Sequence, residues 1–390
     1  MNKKNFFIFL LLINCLQLTA QQLQLSPKAT VSVVTCGPGS ELYSTFGHSA
    51  FRVYDALLGL DKIYNYGTFD FNAPNFYLNF AKGKLTYQLS ATTFSRFLRE
   101  FKYENRWVKT QKLNIEPFEV QAVYDFLENN VKPENRAYQY DFFYNNCSTK
   151  IEEVIKTVLK EKVIFSNAHI TTHKTHRDLI ADYTINQKWA KFGIDLALGS
   201  VIDKKATKDD YKFLPDYIYE AFENTTLNTQ QPLVKESKTI LEEKKGNESY
   251  SIFQPFLVFS VLALFILFIT YQNYKSNDSS KWLDFVLYFS TGLVGIVVLL
   301  LWFATSHTAT YRNFNFLWAF APNLVVSFFL LKSKLQTWVL YYNWLLLILL
   351  VVMLILWLLK IQVFNNALVP LVLALAVRYW YINSSKLVKK

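Results

Sequence analysis

The chain has 390 residues, of which 52% are hydrophobic and 17% aromatic, and its formal net charge at pH 7 is +11. This length and composition fit one sizeable soluble domain together with several membrane helices, and they argue against a wholly soluble protein. The positive charge follows a membrane-topology pattern, and no basic motif is interleaved with aromatic residues, so no nucleic-acid partner is predicted.

Residues 1–20 have the pattern of a secretory signal peptide. Lys3 and Lys4 give the charged start, residues 6–13 give a short apolar core, and Ala20 is a small residue at the expected cleavage point. The apolar core is too short to cross a membrane. Cys15 leaves open the alternative of a lipid-modified N-terminus, but with either N-terminus the domain that follows is exported.

The exported domain is predicted at 21–225 and mixes strand and helix patterns. At 93–104, apolar side chains repeat on one helical face, and Pro117 occupies a position that the first turn of a helix tolerates. Alternating apolar runs with short connections predict an antiparallel sheet, so the predicted fold class is α+β. The predicted strands are 29–36, 48–54, 62–68 and 85–91.

The sequence after Cys147 predicts a helix that begins near this cysteine, because its apolar residues follow the i, i+3, i+4, i+7, i+8 pattern. A thiol at a helix N-terminus faces unpaired N–H groups and the positive end of the helix dipole, and both favour the thiolate. Cys147 is therefore a candidate nucleophile. The apolar positions are Ile151, Val154, Ile155, Val158 and Leu159.

His48 is the candidate base for that thiol. It begins a predicted strand, and Gly47 before it permits a close approach of backbone or substrate. Two alternatives remain open: His48 is a structural histidine, or Cys147 forms a disulfide with Cys36, which an oxidising compartment allows.

No metal ion or other cofactor is predicted. Three further histidines share a polar, loop-like stretch, but no cysteine or carboxylate is grouped beside them at the spacing of a zinc site. These histidines are His169, His173 and His176.

From residue 252 onward the composition changes to that of a membrane domain, predicted at 252–390. Five apolar runs are each near the length needed to cross a hydrocarbon core, so five helices are predicted. The polar stretch 226–251 is predicted to be a tether between the two domains. The apolar runs are 252–271, 283–303, 316–331, 339–359 and 367–381.

The basic residues between these runs predict the orientation of the helices. If the exported domain lies outside, the inner side collects most of the Lys and Arg, as the positive-inside rule requires. The outer side holds only Arg312 and Lys360. The predicted inner-side residues are Lys275, Lys281, Lys332, Lys334, Arg378, Lys386, Lys389 and Lys390.

Short motifs surround the candidate pair and continue along the chain. They are GHSAFR at 47–52, NYGTFD at 65–70, YDFF at 140–143, NCST at 146–149, GIDLALG at 193–199, FLP at 213–215 and the stretch 307–322. With these motifs the chain resembles the bacterial lipoprotein N-acyltransferase family of the Lnb type. The exported domain of that family resembles a circularly permuted papain-like fold, in which the His strand precedes the Cys helix, as His48 precedes Cys147 here.

The resemblance implies acyl transfer at the periplasmic face of the bacterial inner membrane. A membrane phospholipid would donate the acyl chain, and a cysteine thioester would carry it. The acceptor would be the α-amine of the lipidated N-terminal cysteine of a diacylglyceryl lipoprotein. In this scheme Cys147 is the nucleophile, and His48 is the general base and later the acid.

The same resemblance implies supporting roles around the pair. Asn65 is the first choice for the residue that orients His48, and Asp70 is the second, while each has the alternative of capping a turn. Oxyanion stabilisation would come from the backbone N–H of Cys147 and from Asn146. The residues expected to pack and form hydrogen bonds behind the site are Tyr140 and Asp141.

The loop between the second and third predicted helices, 304–315, is expected to face the same side as Cys147. Its functional interpretation is that Arg312 binds a phosphate while His307 and Asn315 align the ester or the amine. The alternative is an ordinary interfacial belt of polar and aromatic residues.

Two other functions use the same residues and remain open. A membrane-tethered cysteine hydrolase would act on cell-wall peptides or lipid esters, with water as the acceptor. A membrane sensor or scaffold would have no catalytic role, and Cys147 would be dispensable for it.

Overall fold

The computed structural model describes residues 23–244, 252–332 and 336–384. The predicted signal peptide at 1–20, with Cys15, lies outside these residues. Within them, the N-terminal part is a sheet covered by helices and the C-terminal part is helical. This agrees with the predicted order of an α+β exported domain and a helical membrane domain.

Seven strands form one antiparallel sheet in the order β6-β4-β3-β2-β1-β5-β9. The four strands predicted from the sequence are β1 to β4, and β1 pairs with β2, β2 with β3 and β3 with β4. The strands of the sheet are β1 (Thr30–Cys36), β2 (His48–Asp55), β3 (Leu60–Thr68), β4 (Thr86–Thr93), β5 (Val108–Leu113), β6 (Ala137–Gln139) and β9 (Val234–Leu241). A separate pair consists of β7 (Val163–Ile164) and β8 (Thr226–Leu227).

Helices cover both faces of this sheet. The N-terminal helices are α1 (Phe76–Ala81), α2 (Phe94–Tyr103), α3 (Pro117–Asn130), α4 (Cys147–Leu159), α5 (His176–Tyr183), α6 (Lys188–Ala197) and α7 (Pro215–Glu223). Successive side chains of a strand point to opposite faces. In β1, Val31 and Val33 therefore pack against α3, α4 and α7, whereas Val34 and Cys36 pack against α2.

The polar stretch 226–251 was predicted to be a tether, and this prediction is wrong for the residues of it that the structure describes, 226–244. Val234–Leu241 pairs with β5 as the edge strand of the sheet. Leu233 and Val234 are buried in the core, while Lys235, Glu236 and Lys238 are exposed. Edge strands often carry exposed charges that prevent pairing with other chains, and these charges give the strand the composition of a linker.

Three C-terminal helices are long and apolar enough to cross a membrane: α8 (Pro255–Ser276), α9 (Lys281–Phe303) and α11 (Thr337–Leu358). A fourth, α12 (Leu368–Ser384), is apolar and has 17 residues. The predicted helix at 316–331 is different, because only α10 (Asn323–Leu330) is α-helical there. Pro322 precedes α10, and proline cannot continue a helix from the preceding turn.

Arg378, which the sequence placed among the inner-side basic residues, is not available as a surface charge. Its side chain is fully buried in the helical domain, and its Nε donates to Asp284 Oδ1 at 2.6 Å. Its Nη1 also donates to Asn273 Oδ1 at 2.8 Å. An ionised residue inside a membrane domain needs such partners, and the contacts of Arg378 with Asp284 and Asn273 join α12 to α9 and α8.

The outer ends of the membrane helices contact the N-terminal domain directly. Asn313 Nδ2 donates to the Leu196 carbonyl at 2.8 Å, and the Gly199 N–H donates to the Ala309 carbonyl at 2.9 Å. The loop after α11 also reaches this domain, where Asn365 Nδ2 donates to an Asp195 carboxylate oxygen at 2.7 Å. The two loops therefore lie on the same side of the helices, as the predicted orientation requires.

We expect Leu233→Ala to lower the free energy of opening of the sheet by about 2–5 kcal/mol, because it deletes a fully buried side chain. Hydrogen exchange of the β5 amides in the detergent-solubilised protein measures this change. The control is Lys235→Ala, an exposed residue two positions further along in β9, for which we expect a change within about 0.5 kcal/mol. Equal exchange in both variants would contradict the sheet assignment of β9.

Candidate active site

The helix α4 begins at Cys147, and Asn146 fixes that start. Asn146 Oδ1 accepts from the N–H groups of Ser148 and Thr149 at 2.8 and 2.9 Å. The Thr149 hydroxyl oxygen accepts in return from the Asn146 N–H at 2.8 Å, which completes a capping box. The thiol is thus held at the positive end of the helix.

Asn146 is a supporting residue, and the expectation that its side chain stabilises an oxyanion is corrected. Its amide donates to the Phe142 carbonyl at 2.8 Å and to the Phe213 carbonyl at 2.7 Å. A side-chain amide has two N–H donors, so neither is left for a substrate.

His48 is brought to the thiol from the first position of β2. The imidazole and the Ser49 N–H both lie where they lower the pKa of Cys147. Gly47, the residue before β2, has a φ of +80°, and a Cβ at this position would lie 2.7 Å from the Cys36 carbonyl oxygen. The approach of the chain to His48 therefore requires glycine.

The electrostatics of the pair favour the thiolate. Burial alone raises the pKa of Cys147, but the charge of His48, its hydrogen bond and the Ser49 N–H outweigh burial and lower this pKa from its ordinary value. The thiolate fraction near neutral pH is therefore larger than that of an ordinary cysteine, and thiolate is the nucleophilic form.

Asn65 is the residue that contacts the far side of His48. The imidazole Nε2 and Asn65 Oδ1 are 3.3 Å apart, so an Nε2–H donates to the amide oxygen and Nδ1 is left for the thiol. Asp70, the second choice, lies in an exposed turn and accepts from the Asn72 N–H at 2.8 Å. The geometry thus places Asn65, and not Asp70, beside the histidine.

Cys36 and Cys147 are both free, so the disulfide alternative is wrong. Cys36 lies opposite His48 in the β1–β2 register and is fully buried against α2. Burial raises the pKa of Cys36 well above its ordinary value, and Arg106 offsets only part of that rise. Of the two thiols, only Cys147 has surroundings that favour a nucleophile.

Tyr140 and Asp141 lie behind the site, as expected. Tyr140 stacks on Tyr87 with ring centroids 4.1 Å apart. Asp141 Oδ1 accepts from the Phe143 N–H at 2.9 Å, and its Oδ2 accepts from the Thr308 hydroxyl at 2.7 Å. Asp141 therefore connects the turn before Cys147 to the outer loop of the membrane domain.

Tyr138 is a site residue that the sequence analysis missed. Its hydroxyl oxygen is buried and has no hydrogen-bond partner of ordinary geometry among the described residues. A Cβ added to Gly67, whose φ is +87°, would lie 3.6 Å from Cys147 Cβ and 3.9 Å from this hydroxyl. Burial, and then the neighbouring Cys147, raise the pKa of Tyr138, so the hydroxyl stays protonated and can donate. In the sequence, the only feature that pointed to Tyr138 was its position two residues before Tyr140.

The three outer-loop residues have separate surroundings. His307 is half-buried, and its Nε2 donates to the Phe80 carbonyl at 3.0 Å. Arg312 is exposed with its guanidinium over the Tyr311 ring. Asn315 is buried and donates to the Asp195 carbonyl at 3.1 Å, so it holds the two domains together and does not face lipid headgroups.

The three histidines at 169–176 do not share one loop, because His176 begins α5 and is buried while His173 is exposed. Within 23–244, 252–332 and 336–384, no group of three or more His, Cys, Asp or Glu side chains could hold a metal ion.

Two family models match the chain. The Lnb N-terminal periplasmic domain matches residues 17–181, and the Lnb transmembrane domain matches residues 247–390. The chain belongs to the Lnb-type lipoprotein N-acyltransferase family. No curated protein and no solved structure matches it significantly. This Lnb-family chain is therefore a membrane protein with an N-terminal periplasmic domain, and Cys147, His48 and Asn65 lie in that domain.

We expect iodoacetamide to alkylate Cys147 of this Lnb-family protein in preference to Cys36. In His48→Ala, the midpoint of the plot of alkylation rate against pH should move to higher pH, because burial still raises the pKa of Cys147 while the opposing contributions of His48 are gone. Peptide mass spectrometry identifies the labelled cysteine.

His173→Ala is the matched control for that shift, since His173 is an exposed histidine of the same domain. Its midpoint should equal that of the wild-type protein. Strong labelling of a Cys147→Ala protein would contradict the assignment of the nucleophile.

Proposed function

We propose that this protein transfers an acyl chain from a membrane phospholipid, through a thioester on Cys147, to the α-amine of the N-terminal lipidated cysteine of lipoproteins. The observation that supports this most directly is the Cys147–His48–Asn65 arrangement on a domain docked against membrane-spanning helices. The proposed location is the periplasmic face of the inner membrane.

The first half-reaction forms the thioester. The Cys147 thiolate attacks the ester carbonyl carbon of the phospholipid, and a C–S bond forms. The tetrahedral intermediate then expels the glycerol oxygen, which takes a proton from the His48 imidazolium and leaves as a lysophospholipid. Asn65 holds the imidazole with Nδ1 toward the thiol during this step.

The second half-reaction forms the amide. The lipoprotein amine attacks the thioester carbonyl, His48 takes the proton that the amine loses, and the C–S bond breaks to restore the thiolate. A thioester is a more reactive acyl donor than an ester, so the amide forms downhill without ATP. Water in place of the amine would give hydrolysis, and the test below separates the two acceptors.

Two donors near Cys147 suit the oxyanion of both half-reactions. One is the backbone N–H of Cys147 at the first position of α4. The other is the buried Tyr138 hydroxyl, which replaces Asn146 in this role because the Asn146 amide is already occupied. Donors that are fixed before the charge develops lower the barrier most effectively.

The proposed fold of the periplasmic domain is papain-like and circularly permuted. Papain-like sites combine a Cys at a helix start with His and Asn partners from the sheet, and α4, β2 and β3 supply these residues here. The His strand precedes the Cys helix in the chain, which is the order that the permutation requires.

Five crossings of the membrane are part of the proposal. The loops after α9 and α11 both contact the periplasmic domain, so the chain must cross between them before α11 begins. α10 has eight residues, or about 12 Å of helix, and the irregular stretch before it completes the crossing. That stretch includes buried Asn315, Leu317 and Trp318, and irregular backbone is tolerated in a membrane where protein surrounds it.

We expect lipoprotein N-terminal peptides to carry an N-linked acyl chain in cells with the wild-type protein and to lack it with Cys147→Ala or His48→Ala. Mass spectrometry of these peptides makes the comparison, and Cys36→Ser is the matched control that retains acylation. The purified protein with phospholipid alone should carry one acyl group on the Cys147 peptide, removable by hydroxylamine. Release of free fatty acid with no N-acylated peptide would identify a hydrolase and refute the transferase.

We expect Tyr138→Phe to reduce the acylation rate by about 10²–10³-fold, which is the usual effect of losing one oxyanion-hole donor in an enzyme that forms a tetrahedral acyl intermediate. The alkylation rate of Cys147 by iodoacetamide should not change, because that reaction develops no oxyanion. Tyr144→Phe, at an exposed tyrosine of the same region, is the control. An acylation rate for Tyr138→Phe equal to that of the control would exclude the hydroxyl as a donor.

A further inference from the structure

A cluster of exposed aromatic side chains lies in the connection between β3 and β4. Phe71, Tyr77 and Phe80 have 60%, 79% and 54% of their surface exposed, and Leu78 is also exposed. Phe76, between them, is buried and anchors α1 to the domain through contacts with Phe69 and Phe71. We call residues 69–81 the aromatic segment.

The aromatic segment is attached to the outer end of a membrane-spanning helix. The Ser306 N–H donates to the Lys82 carbonyl at 2.8 Å, and His307 Nε2 donates to the Phe80 carbonyl at 3.0 Å. Ser306 lies three residues after Phe303, where α9 ends. The exposed rings are therefore at the level where the helices leave the hydrocarbon core, and this position selects the bilayer as their partner.

The charges beside the segment fit the same partner. Lys82 and Lys84 follow directly, and both are exposed. Lysine side chains at a membrane surface are attracted to anionic headgroups, while aromatic rings favour the boundary between headgroups and acyl chains.

A row of aromatic rings leads from this segment to the active site. Phe71 contacts Phe69 with centroids 4.8 Å apart, and Phe69 contacts Tyr87 at 5.2 Å. Tyr87 stacks on Tyr140 at 4.1 Å, and Tyr140 borders Gly67 beside Cys147. The row gives an acyl chain a continuous apolar surface between the bilayer and the thiol.

We propose that the aromatic segment inserts Phe71, Tyr77 and Phe80 into the outer leaflet beside α9, and that the ring row from Phe69 to Tyr140 guides the donor acyl chain to Cys147. The insertion stands on geometry alone, whereas the guiding role rests on the proposed acyl transfer. Two measurements separate these parts.

The first measurement reports insertion without any activity. A Cys147→Ala chain with Tyr77→Cys carries an exposed thiol, which is labelled with an environment-sensitive fluorophore in nanodiscs of phosphatidylethanolamine and phosphatidylglycerol. Spin-labelled lipids should quench this label. The control is Tyr103→Cys, because Tyr103 is 92% exposed at the end of α2 and forms no ring contact or hydrogen bond with the C-terminal helices among the described residues.

Quenching at Tyr77→Cys but not at Tyr103→Cys supports insertion. Equal quenching at the two positions overturns it. Energy transfer between labels on two chains, with no quenching by lipid, would assign the segment to a contact between copies and would also overturn the proposal.

The second measurement tests whether the donor enters the ring row from the inserted side chains, with Phe71→Ser, Tyr77→Ser and Phe80→Ser combined. The phospholipid concentration for half-maximal acyl-enzyme formation should rise by about tenfold or more, because interfacial binding scales with buried apolar area. The control combines Leu57→Ser, Tyr103→Ser and Phe118→Ser, three exposed apolar residues elsewhere on the domain. Alkylation of Cys147 by iodoacetamide reports an intact site in both proteins.

An unchanged half-maximal concentration in the first combination overturns the guiding role. If the wild-type protein forms no acyl-enzyme at all, the proposed function fails instead, and the quenching result still decides whether the segment inserts.

Discussion

The structure of the site depends on how the start of α4 is held. Asn146 uses both its amide hydrogens on backbone carbonyls of neighbouring segments and its oxygen on the first helical N–H groups. This fixes the thiol of Cys147 near the start of the central strand β2, beside His48 and the Ser49 N–H. The lowered pKa of Cys147 is a consequence of that placement, because burial without these partners would raise it.

A second set of buried polar groups fixes the site relative to the membrane. Arg177 is buried between two carboxylates. Its Nη1 lies 3.0 Å from Asp195 Oδ1, and its Nε lies 2.7 Å from Asp203 Oδ1. Asp195 also accepts from Asn365, and Asp203 accepts from the Val363 N–H, and both donors lie in the loop after α11. Buried ion pairs of this kind tolerate little displacement, because a lost partner leaves an uncompensated charge.

These two constraints place Cys147 of the periplasmic domain close to the outer ends of the membrane helices. The helical domain sets the depth of the periplasmic domain, and the loop that contains Thr308 binds Asp141 just before the Cys147 helix. The same loop binds the aromatic segment through Ser306 and His307. The membrane surface, the aromatic row and the thiol are thus parts of one connected arrangement, in which the membrane helices do more than anchor the chain.

The sequence by itself determined the features that depend on local pattern. The spacing of apolar residues predicted helices α2 and α4, and the alternation of apolar and polar residues predicted strands β1 to β4. Long apolar runs predicted α8, α9 and α11. These patterns are local because the period of the side chains follows directly from backbone geometry. The candidate pair Cys147 and His48 was predicted in the same way, since helix starts and strand starts follow from local sequence. Only the tertiary structure decided which side chains meet. It placed Asn65, and not Asp70, beside His48, turned the polar stretch at 234–241 into an edge strand and broke the helix predicted at 316–331. It also buried Asn315 between the domains and placed the Tyr138 hydroxyl beside Gly67, which borders Cys147. These outcomes depend on contacts between residues distant in the chain, and no local pattern encodes such contacts.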